Sequence, residues 1–431
     1  MRAEFFRHAG RLFTWTLAGQ VVGLLSAPVV ARLYGPEAYG IAAMVLTVSA
    51  TVAIISSGRY EQAIVVADSE QDAVALQFLC RNIIATVGVA VLSICVVVYA
   101  YPPESVAELF GANLYLLFGI PVLAVLNGFA VVRRRVLNRE KSYARIGKAA
   151  FSNSVAVPTS RIVTGIVAQG SAAMLVLGGI VGWGTELFKL RPRSMDLRAS
   201  GWHPPKGSLN AVAMRYRDFP LFSLPEGLLA NVSIQLPIYT FGFIYSPTVT
   251  GLYALAIRIV RLPVLALSTA VSQVLLRQFE EHRRSGGRLA AAMLKSTVGL
   301  LLVSTAIGLP IMAFAEPIFR IVMGESWTTA GLYAAILMPW TISGVALIPA
   351  RLSFVIIRRQ GVWLFAQAVL FILRILIMVA AVVLELDVLT TLWVFSLTNA
   401  GYNSLIFFSA LFLLSRDDSA GDANSETDIP V

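Results

Sequence analysis

Charged side chains are scarce in this sequence. Asp, Glu, Lys and Arg make up 13% of 431 residues, about half the ~25% of an ordinary soluble domain. With apolar residues at 57% and a mean hydropathy of +0.75, a surface built from these residues must face lipid over most of its area. Cysteine is nearly absent. Cys80 and Cys95 fall on one predicted helix, and at about 1.5 Å per residue they are too far apart to bridge. A disulfide framework and a cysteine-based metal site are therefore excluded. Histidine is equally rare: His8, His203 and His282 all lie in segments expected outside the membrane. There is no H-E-x-x-H and no G-x-x-x-x-G-K-[ST] phosphate loop, which argues against a zinc hydrolase or an ATPase. The reading is of a protein that is not an enzyme and needs neither metal nor cofactor. The connectors expected outside the cell are also short, which disfavours a polymerase or ligase.

What the chain has is apolar runs. They predict spans near 12–31, 41–58, 79–101, 114–132, 147–168, 170–188, 220–242, 250–275, 291–314, 331–357, 362–384 and 389–414. Each matches the roughly 20 residues that a bilayer helix needs. The expected fold class is an all-α polytopic membrane protein with about twelve transmembrane helices. The first run lacks a clear A-x-A site and continues into Pro28, so it reads as a retained span. The longest connector suggests a division into an N-terminal six-helix lobe (1–188), a cytoplasmic linker (189–219) and a C-terminal six-helix lobe (220–414). An acidic, irregular cytoplasmic tail (415–431) follows.

The bases orient this ladder. Of 34 Lys and Arg, 27 fall on one side and two, Arg32 and Arg320, on the other. Cytoplasmic loops collect such residues, so both termini are expected inside, in a cytoplasmic (inner) membrane. The positive net charge does not point to nucleic acid, because the bases lie in scattered short loops without interleaved aromatics. The two halves also resemble each other. Tyr34-Gly35-Pro36-Glu37-Ala38-Tyr39-Gly40 and Tyr245-Ser246-Pro247-Thr248-Val249-Thr250-Gly251 are both Y-x-P-x-x-x-G, 211 residues apart. Each stands at the first outer loop of its half. Because six is even, the repeats would share orientation about an axis along the membrane normal.

Five bases remain inside the predicted spans: Arg161, Arg258, Arg261, Arg351 and Arg374. A mid-bilayer arginine costs at least about 2.5–3.5 kcal/mol on insertion scales and calls for a partner or a wet cavity. Arg258 and Arg261 share a helix face, and with Arg374 they are the leading candidates for an anion site. Arg161 and Arg351 lie nearer span ends, where snorkelling competes with a binding role. Glu226 is an acid within a span, either an ion-pair partner for these arginines or a coupling-ion site. Prolines within the spans, such as Pro121, Pro225, Pro237 and Pro339, allow helices to bend.

Several segments together resemble the oligosaccharide/polysaccharide flippases of the multidrug/oligosaccharidyl-lipid/polysaccharide (MOP) exporter superfamily. They include Ala31-Arg32-Leu33-Tyr34-Gly35-Pro36-Glu37-Ala38-Tyr39-Gly40, Arg59-Tyr60-Glu61-Gln62-Ala63-Ile64 and Gly251-Leu252-Tyr253-Ala254-Leu255-Ala256. Gly324-Glu325-Ser326-Trp327-Thr328-Thr329-Ala330-Gly331-Leu332-Tyr333 completes the set. The resemblance implies two six-helix lobes around a central cavity. It also implies an undecaprenyl-diphosphate-linked oligosaccharide as cargo, with polysaccharide polymerase and export machinery as possible partners. Guanidinium groups suit such a diphosphate geometrically. The alternative within the superfamily is an organic-cation or multidrug antiporter, which would want acids rather than arginines in its cavity.

Overall fold

The computed structural model describes residues 2–167, 170–191, 208–284, 287–357 and 359–427. The chain is all helix there. α1 (Arg2–Leu33), α2 (Pro36–Ile55), the short α3 (Tyr60–Val66), α4 (Glu70–Ala100) and α5 (Glu104–Phe110) come first. A 3-10 segment (Gly111–Phe118) leads into α6 (Gly119–Arg139), followed by α7 (Tyr143–Val167) and α8 (Ala172–Lys189). α9 (Ser208–Arg215), a π turn (Phe219–Ser223) and α10 (Leu224–Ile244) precede the long α11 (Pro247–Arg284) and α12 (Leu289–Met323). The chain closes with α13 (Thr328–Ile336), α14 (Met338–Ala346), α15 (Ile348–Ile356), α16 (Gln360–Val383) and α17 (Val388–Thr427).

Ten helical stretches among the described residues are long and apolar enough to cross a membrane. α7 and α11 stand where the fifth and eighth spans are expected, which completes the ladder of twelve. α7 is the polar one: Ser152, Asn153, Ser154, Thr159, Ser160, Arg161 and Thr164 all fall along it. The protein is therefore a multi-pass membrane protein.

Two predicted spans are not single rods. The stretch expected at 331–357 is built from α13, α14 and α15, with Pro339 and Pro349 each in the first turn of its helix. A proline has no N–H to donate and its ring crowds the preceding turn, so the rod breaks at each while the path continues. The segment before α6 tightens into a 3-10 helix. Pro28, Pro158, Pro237 and Pro310 lie inside unbroken helices.

The chain divides by packing into two compact units, Met1–Ala254 and Leu255–Val431. In the first, α7 packs between α1 and α8, and α2 is surrounded by α6, α8 and α10. α10 thus packs with the first unit although the repeat assigns it to the second half. In the second unit α12 packs on α13, α14 and α17, and α17 also meets α16. Within the expected linker, 192–207 lie outside the described residues. The part that follows is ordered as α9, which packs on α4 and buries Val212 and Tyr216 among Ala63, Ile64, Leu76 and Val136. α17 continues to Thr427, so the backbone of the acidic tail is helical over most of its length. Extending an existing helix needs no new nucleus.

Candidate functional site

The two Y-x-P-x-x-x-G motifs meet. Pro36 and Pro247 each start a helix, α2 and α11. Each glycine follows its proline by four residues, so it lies one turn on along the same face. A Cβ on Gly40 would overlap the Pro247 carbonyl oxygen and crowd the Gly251 nitrogen. A Cβ on Gly251 would overlap the Pro36 carbonyl oxygen and crowd the Gly40 nitrogen. The contact is reciprocal. Only glycine lets the backbones approach this closely.

Farther along α2, an apolar helix presents a short polar stripe to α10. Thr47 and Thr51 on α2 face Asn231, Gln235 and Tyr239, which repeat at four-residue intervals on α10. Thr51 Oγ1 donates to Asn231 Oδ1 at 2.8 Å and lies 2.6 Å from the Tyr239 hydroxyl. Gln235 Nε2 reaches Thr47 Oγ1 at 3.4 Å, and Tyr239 donates to the Thr47 carbonyl at 3.3 Å. Hydroxyls and amides in such surroundings cost free energy unless paired. The stripe therefore fixes the register of α2 against α10.

At the far end of α2 the chain turns through two left-handed residues, Gly58 (φ 58°) and Arg59 (φ 62°). Glu61 is 1% exposed and accepts from Ser57 Oγ at 2.6 Å. Its other oxygen is 3.8 Å from Arg59 Nη1, a loose pair. Arg59 Nε is buried without a hydrogen-bond partner, and the guanidinium lies over the bare Cα of Gly227, where a Cβ would displace it. Glu226, one residue earlier, is exposed in the first turn of α10. A side chain at Gly227 pushes on a flexible arginine tip rather than on backbone. Gly227→Ala is thus expected to shift the thermal midpoint little but to release Arg59, seen as faster modification of Arg59 itself by a guanidine-selective dicarbonyl probe, read by peptide mapping. Equal probe reactivity with and without the alanine would count against this contact.

The five span arginines fall into two groups. Arg161 and Arg374 are 6% and 5% exposed and tie helices together. Arg161 Nε donates to the Leu175 carbonyl at 3.1 Å, its aliphatic stem lies against Gly178, and its own carbonyl accepts from the Tyr34 hydroxyl at 2.7 Å. Arg374 on α16 gives two hydrogen bonds to Asn399 Oδ1 on α17, at 2.9 and 2.7 Å. Its guanidinium also sits 5.4 Å from the Trp340 ring and 5.7 Å from that of Phe395. Arg258 and Arg261 are half-buried on α11, and Arg351 is exposed on α15.

The sequence profile of the polysaccharide biosynthesis protein family matches residues 29–331. The chain belongs to this family. No curated protein matches it in sequence. Among solved structures it is similar to the lipid II flippase MurJ in an inward closed conformation. That match has a TM-score of 0.68 at 13% identity and covers 97% of this chain and 93% of that one. It is also similar to a multidrug resistance MATE family transporter of the MOP superfamily. The inward-facing form gives 0.59 at 16% identity over 95% and 96% of the two chains. The outward-facing form gives 0.55 at 14% identity over 96% of each. At such identities the likeness shows the fold alone, and it is a fold of flippases and transporters.

Within this family member the sequence signals pass over Arg59, which counts simply as one more base in a cytoplasmic turn. Its signal is the Gly58-Arg59-Tyr60-Glu61 string, since a glycine before Arg-x-Glu marks a turn rather than a solvated face. A second group braces the basic side of the first unit. Arg139 donates to the Ile64 and Ala67 carbonyls at 3.1 and 2.9 Å, closing the end of α3. Glu186, 1% exposed, accepts from Arg134 Nε at 2.6 Å and Asn153 Nδ2 at 2.7 Å. Arg215 reaches Asp72 at 2.7 Å. Beside it, burial first and then the Asp72 and Asp68 charges push the Tyr216 phenol above its ordinary range, so it stays a hydrogen-bond donor. Among the described residues no group of three or more His, Cys, Asp or Glu is placed to hold a metal ion.

Proposed function

We propose that this protein turns an undecaprenyl-diphosphate-linked oligosaccharide repeat unit from the inner to the outer leaflet of the cytoplasmic membrane, for polysaccharide export. Its termini lie in the cytoplasm and its cycle is one of alternating access. The observation that carries the reading is the pair Arg258 and Arg261, three residues apart and half-buried on a helix at a membrane-span position. A diphosphate leaving water needs compensating charge, and a guanidinium supplies it with matched geometry. Family membership supports a saccharide cargo, and the likeness to a protein described as a lipid II flippase supports a lipid-linked one. Arg351, exposed on α15, is a further cargo contact in this reading, and Glu226 is either the coupling-ion site or an ion-pair partner for these arginines. Arg161 and Arg374 act by holding helices together.

The test is delivery of lipid-linked oligosaccharide to the outer leaflet in cells, normalised to protein level. A charge-assisted hydrogen bond is worth about 1.5–3 kcal/mol, or roughly ten- to a hundredfold. Arg258→Gln and Arg261→Gln are each expected to lower translocation by about that factor with the thermal midpoint unchanged. Normal translocation in both would sink the proposal. Rescue of cells from an organic cation by the wild type, with no effect on oligosaccharide, would favour the antiporter reading instead.

A further inference from the structure

The basic end of the second unit holds a cleft that the translocation reading does not use. It lies between the last turns of α11 and the first turns of α12, with a volume of about 800 Å³. Phe279 floors it, 1% exposed. Lys295, His282, Gln278, Ser296 and Glu281 line it. Three of these, Lys295, His282 and Gln278, present donors, and the one acid is engaged: Arg277 Nε donates to Glu281 at 2.7 Å. Ser296 is held by the Ala292 carbonyl at 2.8 Å, so its oxygen lone pairs rather than its proton face outward. The sequence around the cleft adds Arg277, Arg283, Arg284 and Arg288. Against Glu280 and Glu281 these bases leave the segment net positive in sequence.

Geometry places this cleft in the headgroup layer. α12 has 35 residues, roughly 50 Å of helix at ~1.5 Å per residue, against a hydrocarbon core of about 30 Å. Its first turns therefore stand among headgroups, on the side that the bias of Lys and Arg assigns to the cytoplasm. The surface beside the cleft is apolar and outward-facing: Val274, Leu294 and Val298 are 57%, 42% and 46% exposed. A ligand here meets cations and donors at one end and open apolar helix at the other. That combination fits an anionic amphiphile better than a free anion.

We propose that this cleft binds the headgroup of an anionic phospholipid of the inner leaflet, with Lys295 and His282 on the phosphate, Gln278 donating beside them, and the acyl chains along Val274, Leu294 and Val298. The bound lipid pins the end of α11 to α12. The site is independent of the translocation proposal, because its readout is lipid retention rather than transport.

The full chain is reconstituted in nanodiscs of phosphatidylglycerol and phosphatidylcholine, released into detergent, and its retained lipid counted by native mass spectrometry. Each interfacial cation contributes about 1 kcal/mol toward an anionic lipid, or roughly fivefold in affinity. Lys295→Gln is expected to lower phosphatidylglycerol retention about fivefold, and adding His282→Gln lowers it further. Lys148→Gln, which removes an exposed base on α7, leaves it unchanged. Both cleft side chains are exposed, so thermal midpoints stay at the wild-type value and confirm folding. Retention unaltered in the double variant overturns the proposal. So does displacement of phosphatidylglycerol by millimolar inorganic phosphate, which would make this a free-anion site. Preferential displacement by undecaprenyl diphosphate would overturn it too, by assigning the cleft to the cargo.

Discussion

Valine at Gly40 or at Gly251 is expected to slow translocation about tenfold or more and to destabilise the protein, although what each glycine meets is backbone alone. Each lies against the opposite motif's backbone, which cannot rotate away as a side chain can. Overpacking a tight contact costs about 1–3 kcal/mol, and a clash with carbonyl and amide belongs at the upper end. Where this crossing forms in one state of a transport cycle and opens in another, about 3 kcal/mol shifts that equilibrium roughly a hundredfold. Translocation should therefore fall by about tenfold or more in either variant, with a lowered thermal midpoint. Alanine already has the offending Cβ and should show a milder form of both effects. Gly35→Ala is the control, because nothing lies within 4 Å of a Cβ there. Wild-type rates in Gly40→Val and Gly251→Val together would show that the helices separate at this point without cost.

The second large effect separates a helix tie from a cargo ligand. In Asn399→Leu the Arg374 guanidinium, 5% exposed, loses the oxygen that accepts two of its hydrogen bonds. Depriving a buried charged donor of its acceptor costs about 3 kcal/mol. Replacing both members by apolar groups of similar volume is often close to neutral. Asn399→Leu alone should thus express poorly and melt early, whereas Arg374→Met with Asn399→Leu should recover most of the stability. Translocation is expected to return with it, to within about threefold. A stable double variant with no translocation would instead make Arg374 a cargo residue. Arg258→Gln and Arg261→Gln should show the opposite pattern, in which transport falls while stability holds. Measuring both quantities on the same variants assigns each arginine its role.

Why these arginines look alike in sequence and differ in the structure has a simple cause. Hydropathy reports how far along a span a charge lies, but it carries no angle around the bundle. Arg374 and Arg258 are both deep in apolar helices by that measure. One points at Asn399 and two aromatic rings in the second unit; the other is half-buried on α11. Arg59 shows the converse. By charge counting it belongs to a solvated turn, yet a left-handed backbone and a neighbouring glycine bury its Nε without a partner. The polar stripe of Thr47, Thr51, Asn231, Gln235 and Tyr239 was equally hidden, because each residue is unremarkable until a second helix supplies its partner.

The sequence by itself determined the class of the molecule. Scarce charge and twelve apolar runs dictate a helical membrane protein, since lipid forces every backbone group to be satisfied within its own segment. One-sided Lys and Arg give that ladder an expected orientation, and the repeated Y-x-P-x-x-x-G predicts two related halves. Only the tertiary structure decided what the repeat is for. Proline and glycine at fixed spacing mark a turn, whatever lies beyond it. That Gly40 and Gly251 face each other's prolines depends on two helices 211 residues apart, and no local preference encodes a contact at that separation. Hydrophobic period and charge act along the chain, whereas close approach is set by the shape of whatever packs against it.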